Sequence, residues 1–190
     1  RLPLRPAEHL QERMQSAGDF ARFSGHLRAY ALELIRIAND LRLLSSGPNT
    51  ALAEIELPAV QPGSSIMPGK VNPAMPEMAD MVGFQVIGLD ATVAAAVQAG
   101  QLELNVMMPV IAYNLLQSMH LLTNASRALA VKCIDGIRAD AARCELLAHR
   151  SLALVTALAP ELGYLNAAMI AKESLKTRKP IQQLVIEHGL

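Results

Sequence analysis

A long seam of apolar residues limits the folds open to this chain more than any other feature. Phe20, Phe23, Leu27, Tyr30, Leu34, Ile37, Leu41 and Leu44 follow one another at alternating steps of three and four. That repeat keeps one face of a helix against a partner in a left-handed bundle. Asp19 is placed to cap its start and Gly47-Pro48 to stop its far end, because glycine takes the turn and proline cannot continue the helix. At ~1.5 Å per residue such a helix runs ~40 Å. A rod of that length needs long partners, and two follow. Met78, Val82, Val86, Leu89, Val93 and Ala96 mark a second helix ending near Gly100, and 110–131 reads as a third that is apolar around most of its circumference. A helix apolar on nearly every side is surrounded by other helices. Three such helices cannot cover one another completely, so further partners are expected from other sequence, from other subunits, or from both. The expected fold class is all-α, a long-helix bundle.

Shorter elements flank the three rods. An extended entry over 1–5 leads to Pro6, well suited to open a short helix through Gln15. A short extended piece is expected at 54–57. The pattern breaks at Asp135-Gly136-Ile137-Arg138, and shorter helices follow over about 140–158, 165–175 and 180–187, punctuated by Pro160, Gly163 and Pro180. This organisation predicts a central helical-bundle domain over 1–137 and a small C-terminal helical domain over 138–190.

Charge and cysteine usage exclude several function classes. Lys plus Arg and Asp plus Glu both total 17, with no long run of one sign, which argues against nucleic acid or an anionic membrane as a partner. Residues 104–126 contain no Asp, Glu, Lys or Arg, long enough to raise the question of a membrane span. Asn114, Gln117, His120 and Asn124 recur there at helical spacing, costly in lipid and easily satisfied inside a protein. Cys133 and Cys144 are too few for a zinc framework and read as reduced thiols of a cytoplasmic protein. No cofactor and no metal site is expected.

The chemistry is concentrated in Pro62-Gly63-Ser64-Ser65-Ile66-Met67-Pro68-Gly69-Lys70-Val71-Asn72-Pro73. Its glycines allow the backbone to approach a ligand, and its prolines limit how far the loop wanders. Lys70 and Asn72, two residues apart, point to the same side of an extended segment and together offer a cation and an amide donor to a carboxylate. Ser64 and Ser65 supply hydroxyls, but a serine needs activation before it removes a proton. No histidine is nearby, so that activation must come from loop amides, Lys70 or other segments. A phosphate-binding loop fails on spacing and on Val71, which stands where a hydroxyl is required. The residues alone leave two readings: an anion-binding loop, or a plain Gly/Pro/Ser connection with a solvated lysine.

The run from Gly63 to Pro73 resembles, without a mismatch, the signature loop of the fumarase/aspartase superfamily of lyases. The likeness extends to Ile37-Ala38-Asn39-Asp40-Leu41-Arg42-Leu43-Leu44-Ser45-Ser46-Gly47-Pro48 and to Ala99-Gly100-Gln101-Leu102-Glu103-Leu104-Asn105-Val106-Met107. It implies a central domain of long helices that tetramerises, followed by a small helical domain. It also implies reversible anti-elimination of ammonia or water from a succinate-type substrate to give fumarate, by way of an aci-carboxylate. By position, Ser64 looks like the catalytic base, Ser65, Lys70 and Asn72 like carboxylate binders, and Glu77 like the partner of a histidine on another segment; an ordinary acidic residue in a helix's first turn is the plainer account of Glu77.

Within the superfamily, 41–48, 84–88 and 100–105 look more like aspartate ammonia-lyases, whereas 151–158 leans toward class II fumarases. Met108 and Asn49-Thr50-Ala51 depart from the usual pattern. The superfamily's N-terminal domain and histidine-bearing loop have no match here, so the chain reads as the central and C-terminal part of a longer protein. His9, His26, His120, His149 and His188 lie outside its catalytic motif. The expected partners are a small dicarboxylate or amino-acid substrate and further copies of the chain in a homotetramer. A non-catalytic oligomerising helical scaffold is the remaining alternative.

Overall fold

The computed structural model describes Pro3 and residues 5–190. The extended entry expected over 1–5 therefore falls partly outside the described residues, at Arg1, Leu2 and Leu4. The chain divides into two compact units, residues 1–52 with 57–137, and residues 53–56 with 138–190. Among the described residues the regular secondary structure is almost entirely α-helical.

The first unit contains α1 (Leu10–Gln15), α2 (Gly18–Leu44), α3 (Ala74–Gln98), α4 (Met108–Lys132) and a 3-10 turn at Ile134–Gly136. α1 begins four residues later than Pro6 predicts. None of its residues is buried, so no packing rewards the ordering of a further turn. α3 lies between α2 and α4 and packs against both. Ala17, Val93, Ala96, Ile111 and Leu115 form one buried cluster there, with Leu27 and Val97 against it.

The seam on α2 is rotated from the one its apolar residues trace. The positions turned inward are Ser24, Ala31, Leu34, Ala38 and Leu41, with Leu27 half-buried, again at steps of three and four. Leu27, Leu34 and Leu41 belong to both seams. Phe20, Phe23, Tyr30 and Ile37 instead stand at least 40% exposed. Small residues win the inner face because α3 approaches closely: a Cβ on Gly83 would run into the side chain of Ile35 and sit 3.4 Å from the Ala31 carbonyl oxygen.

Two buried carboxylates lie in this interface. Asp90, 8% exposed, accepts from Ser24 Oγ at 2.6 Å and from Arg28 Nη1 at 2.8 Å. Asp80, 3% exposed, accepts from Arg42 Nη1 at 2.7 Å, and Arg42 Nη1 also donates to Asn39 Oδ1 at 3.1 Å. The other oxygen of Asp80, Oδ1, is buried without a hydrogen-bond partner among the described residues. By length and composition α3 is the one described helix able to cross a membrane. Its paired aspartates instead fit it to a protein interior, since a charge in hydrocarbon is costly.

Asn105, 4% exposed, joins the rods at one end. Its Nδ2 donates to the carbonyls of Ala96 and Val97 at 3.1 Å each, while its Oδ1 accepts from Met107 N at 2.9 Å. One side chain thus caps the end of α3 and the start of α4, satisfying groups that every helix terminus leaves unpaired. Its own N–H donates to the Met14 carbonyl at 3.0 Å. α4 follows the predicted span closely, but only one face is covered: Ile111, Asn114, Leu115, Ser118, Leu122, Ala125 and Leu129 are buried. Tyr113, Leu116 and Val131 are about two-thirds exposed. Asn114 and Ser118 satisfy themselves on the helix's own carbonyls, at 2.7 and 2.8 Å.

In the second unit β1 (Ile55–Glu56) pairs antiparallel with β2 (Arg138–Ala139), with Ile55 opposite Ala139. The helix predicted over 140–158 is two, α5 (Ala141–Arg150) and α6 (Ala153–Leu162). Ser151 breaks them by turning extended, and its Oγ then accepts from Ala153 N at 3.2 Å. Pro160 lies inside α6 and does not end it; Gly163, at φ +75°, does. α7 (Tyr164–Thr177) and α8 (Ile181–Glu187) close the unit around Ile170, Ile181 and Leu184. Lys179 Nζ donates to both oxygens of Glu187, and Gln183 donates to one of them, which holds the Glu187 carboxyl below its ordinary range. Both cysteines are free thiols, and burial pushes that of Cys133 up.

The interface predicts an asymmetry. Replacing Arg42 with Met strands the Asp80 carboxylate and is expected to cost about 3 kcal/mol in urea denaturation, whereas adding Asp80→Leu to that variant restores most of the loss. Asn105→Ala, which removes three hydrogen bonds from the facing ends of α3 and α4, is expected to cost about 2 kcal/mol in the same measurement.

Candidate active site

The predicted loop is closed on itself. Asn72 Nδ2 donates to the Gly63 carbonyl at 2.7 Å, bringing together the two ends of a ten-residue segment. Gly63 lies so close to the Lys70 carbonyl that a Cβ would fall on it, which excludes every residue but glycine without a rearrangement. Lys70 N donates to the Met67 carbonyl at 3.3 Å. Beyond the clasp, Ala74 N donates to the Asn72 carbonyl at 2.8 Å and Glu77 N to the Pro73 carbonyl at 3.0 Å. The loop therefore runs straight into the first turn of α3.

Ser64 occupies a special position within it. Its Oγ accepts from Ile66 N and from Met67 N, both at 3.1 Å. Two backbone dipoles aimed at one hydroxyl oxygen favour negative charge on that oxygen. Loop amides are one of the sources of serine activation that the residues alone leave open, and two of them meet this oxygen. This contact was not legible in advance because it depends on the turn geometry and not on residue type.

The other candidates are distributed around this turn. Ser65 and Lys70 are exposed, Ser64, Asn72 and Glu77 half-buried, and Ile66 stands 86% exposed at the tip. Among the described residues neither the Lys70 ammonium nor the Glu77 carboxylate has a side-chain partner. Asn72 uses one of its two amide hydrogens on Gly63 and keeps the other. Among the described residues of the first unit no histidine hydrogen-bonds to the loop, and His120 pairs with Asn124 at 3.0 Å. In the second unit His149 lies 3.7 Å from Glu145, and His188 lies 2.7 Å from Glu173. Among the described residues no three His, Cys, Asp or Glu side chains are grouped to hold a metal ion.

A model of the Lyase family matches residues 1–88, and one of the fumarase C C-terminus matches residues 154–190. The chain belongs to the fumarase/aspartase superfamily. Among superfamily members, the aspartate ammonia-lyase of Pseudomonas fluorescens is 52% identical over 188 residues, covering 99% of this chain and 39% of that protein. The crystal structure of a fumarate lyase:delta crystallin from Brucella melitensis bound to cobalt superposes with a TM-score of 0.93 at 51% identity, over 100% of this chain and 41% of that one. A class II fumarase from Schistosoma mansoni superposes with a TM-score of 0.92 at 41% identity, over 98% and 39% of the two chains. The chain thus spans about 40% of the length of the superfamily members it matches.

Proposed function

We propose that the protein to which this chain belongs is a lyase that reversibly eliminates ammonia from L-aspartate to give fumarate. The observation that carries this reading is the Ser64 hydroxyl oxygen held by the amides of Ile66 and Met67, on a loop whose lysine has no side-chain partner among the described residues. Ser64 Oγ first gives up its hydroxyl proton to solvent, the alkoxide being supported by the amides of Ile66 and Met67, and then takes the proton from the carbon next to one substrate carboxylate. The electron pair of that C–H bond moves into the carboxylate, which becomes a doubly charged aci-carboxylate. Lys70, Asn72 and Ser65 stabilise the charge, since donors fixed in advance act most strongly where charge develops. The pair then returns to form the C=C bond as the C–N bond breaks, and ammonia leaves from the opposite face. Glu77 serves as the partner of a histidine supplied by another segment.

Ammonia and not water is the leaving group on this reading because aspartate ammonia-lyases are among the relatives of highest identity. Elimination of water from malate is the second reading, supported by the fumarase C match at the C-terminal end and by the 41% identity to a class II fumarase. The uncovered apolar side chains of α2, α3 and α4, among them Phe23, Tyr30, Phe84, Tyr113 and Leu116, exceed the scattered exposure usual for a monomer and fit burial against further copies in a tetramer.

Fumarate absorbance after addition of L-aspartate, and separately of L-malate, to the full-length protein tests the reading: turnover of malate alone replaces it with the second one. Ser64→Ala is expected to lower kcat by about 10²- to 10⁴-fold with assembly unchanged by light scattering, and near-normal turnover removes Ser64 from the base role. The 190-residue chain alone is expected to be inactive, because one loop does not assemble the whole charge-stabilising site; measurable turnover of either substrate refutes this.

A further inference from the structure

We propose that Asn72 is a positioning residue for Ser64, acting through its clasp on Gly63 in addition to binding a carboxylate; this rests on the reading of Ser64 as the base. The Gly63 carbonyl that accepts from Asn72 Nδ2 at 2.7 Å belongs to the peptide plane that also contains Ser64 N. Holding that oxygen sets the orientation of the plane and hence the direction in which the Ser64 backbone enters its turn. From that entry Ser64 Oγ meets the amides of Ile66 and Met67 at 3.1 Å each. Among the described residues no side chain from outside 63–72 hydrogen-bonds to this segment, so the clasp is its single side-chain tie across the ends.

Three further observations support the assignment. Asn72 is half-buried while Ser65 and Lys70 are exposed, as expected for a side chain engaged within the loop. The clasp has a backbone counterpart on the same residue, because Gly63 is also seated against the Lys70 carbonyl. The carboxamide has two hydrogens, so one can hold Gly63 while the other reaches a substrate oxygen. Closing the loop in advance removes conformational freedom that would otherwise be lost during the reaction. Ser64 is then held against its two amides before substrate arrives.

The test uses the full-length protein with Gly63→Ala, Asn72→Asp and the double variant. Three quantities are read: amide exchange of Ile66 and Met67 by mass spectrometry, kcat, and the dissociation constant of unreactive succinate. Gly63→Ala removes no donor to substrate. We expect it to speed exchange and lower kcat by about tenfold each, the loss of one intraloop tie, with a smaller loss of succinate affinity than Asn72→Asp, because the added Cβ presses on the Lys70 carbonyl and leaves every side-chain donor in place. Asn72→Asp should give the same gain in exchange together with weaker succinate binding. The double variant should exchange no faster than either single one, since either change opens the same closure of the loop ends. Parental exchange rates in either single variant, or exchange effects that multiply in the double one, overturn the clasp. Normal turnover by Ser64→Ala defeats the reading of the base alone, and the exchange rates still decide the clasp.

Discussion

The pairing of α2 with α3 depends on two carboxylates that are out of water. A buried charge without a partner is costly, and Asp80 and Asp90 find theirs in Arg42 and Arg28, with Ser24 completing the second site. Ten residues separate the aspartates on one helix and fourteen separate the arginines on the other. A slip of α3 along α2 by one turn would detach both carboxylates together. Apolar packing between regular helices tolerates such slips far better, so the ion pairs set the register.

That register reaches the loop through a short stretch of backbone. Asp80 stands in the second turn of α3, and α3 begins two residues after Asn72. The Arg42 clamp therefore holds the stem from which the loop departs. At the other end of α3, Asn105 ties its last carbonyls to the first turn of α4 and to Met14. α3 is thus fixed along its length and at its end by polar contacts, and its apolar contacts with small residues of α2 set how close the two helices come. The loop itself adds local order, with one carboxamide across its base and one hydroxyl inside its turn.

Much of this was legible in the residues. The rods appear where the steps of three and four place them, the stop near Gly47 holds, and the donor set of Ser64, Ser65, Lys70 and Asn72 lies on one connection between helices. Asp80 and Asp90 were overlooked, yet a signal existed: acidic residues falling within the apolar stripe of α3 require cations opposite, and Arg28 and Arg42 lie at a spacing of two heptads. The break at Ser151 and the continuation through Pro160 were misread, because a ten-residue helix survives the loss of one backbone bond near its end, while a hydroxyl at Ser151 offers a new start.

By itself the sequence determined how many long helices there are, how far each runs, and which chemical groups the loop brings together. These follow from local spacing, from turn residues and from the composition of one short segment. Only the tertiary structure decided which side of α2 faces inward, since a period of three and four residues sets the separation of side chains along a helix but not its rotation about its own axis. The close approach of α3 resolved that choice in favour of Ser24, Ala31 and Ala38 over Phe23, Tyr30 and Ile37. It likewise decided that Ser64 turns its oxygen onto two amides while Asn72 reaches back to Gly63. Hydrogen-bond direction depends on the path of the backbone in three dimensions, which no residue type specifies alone.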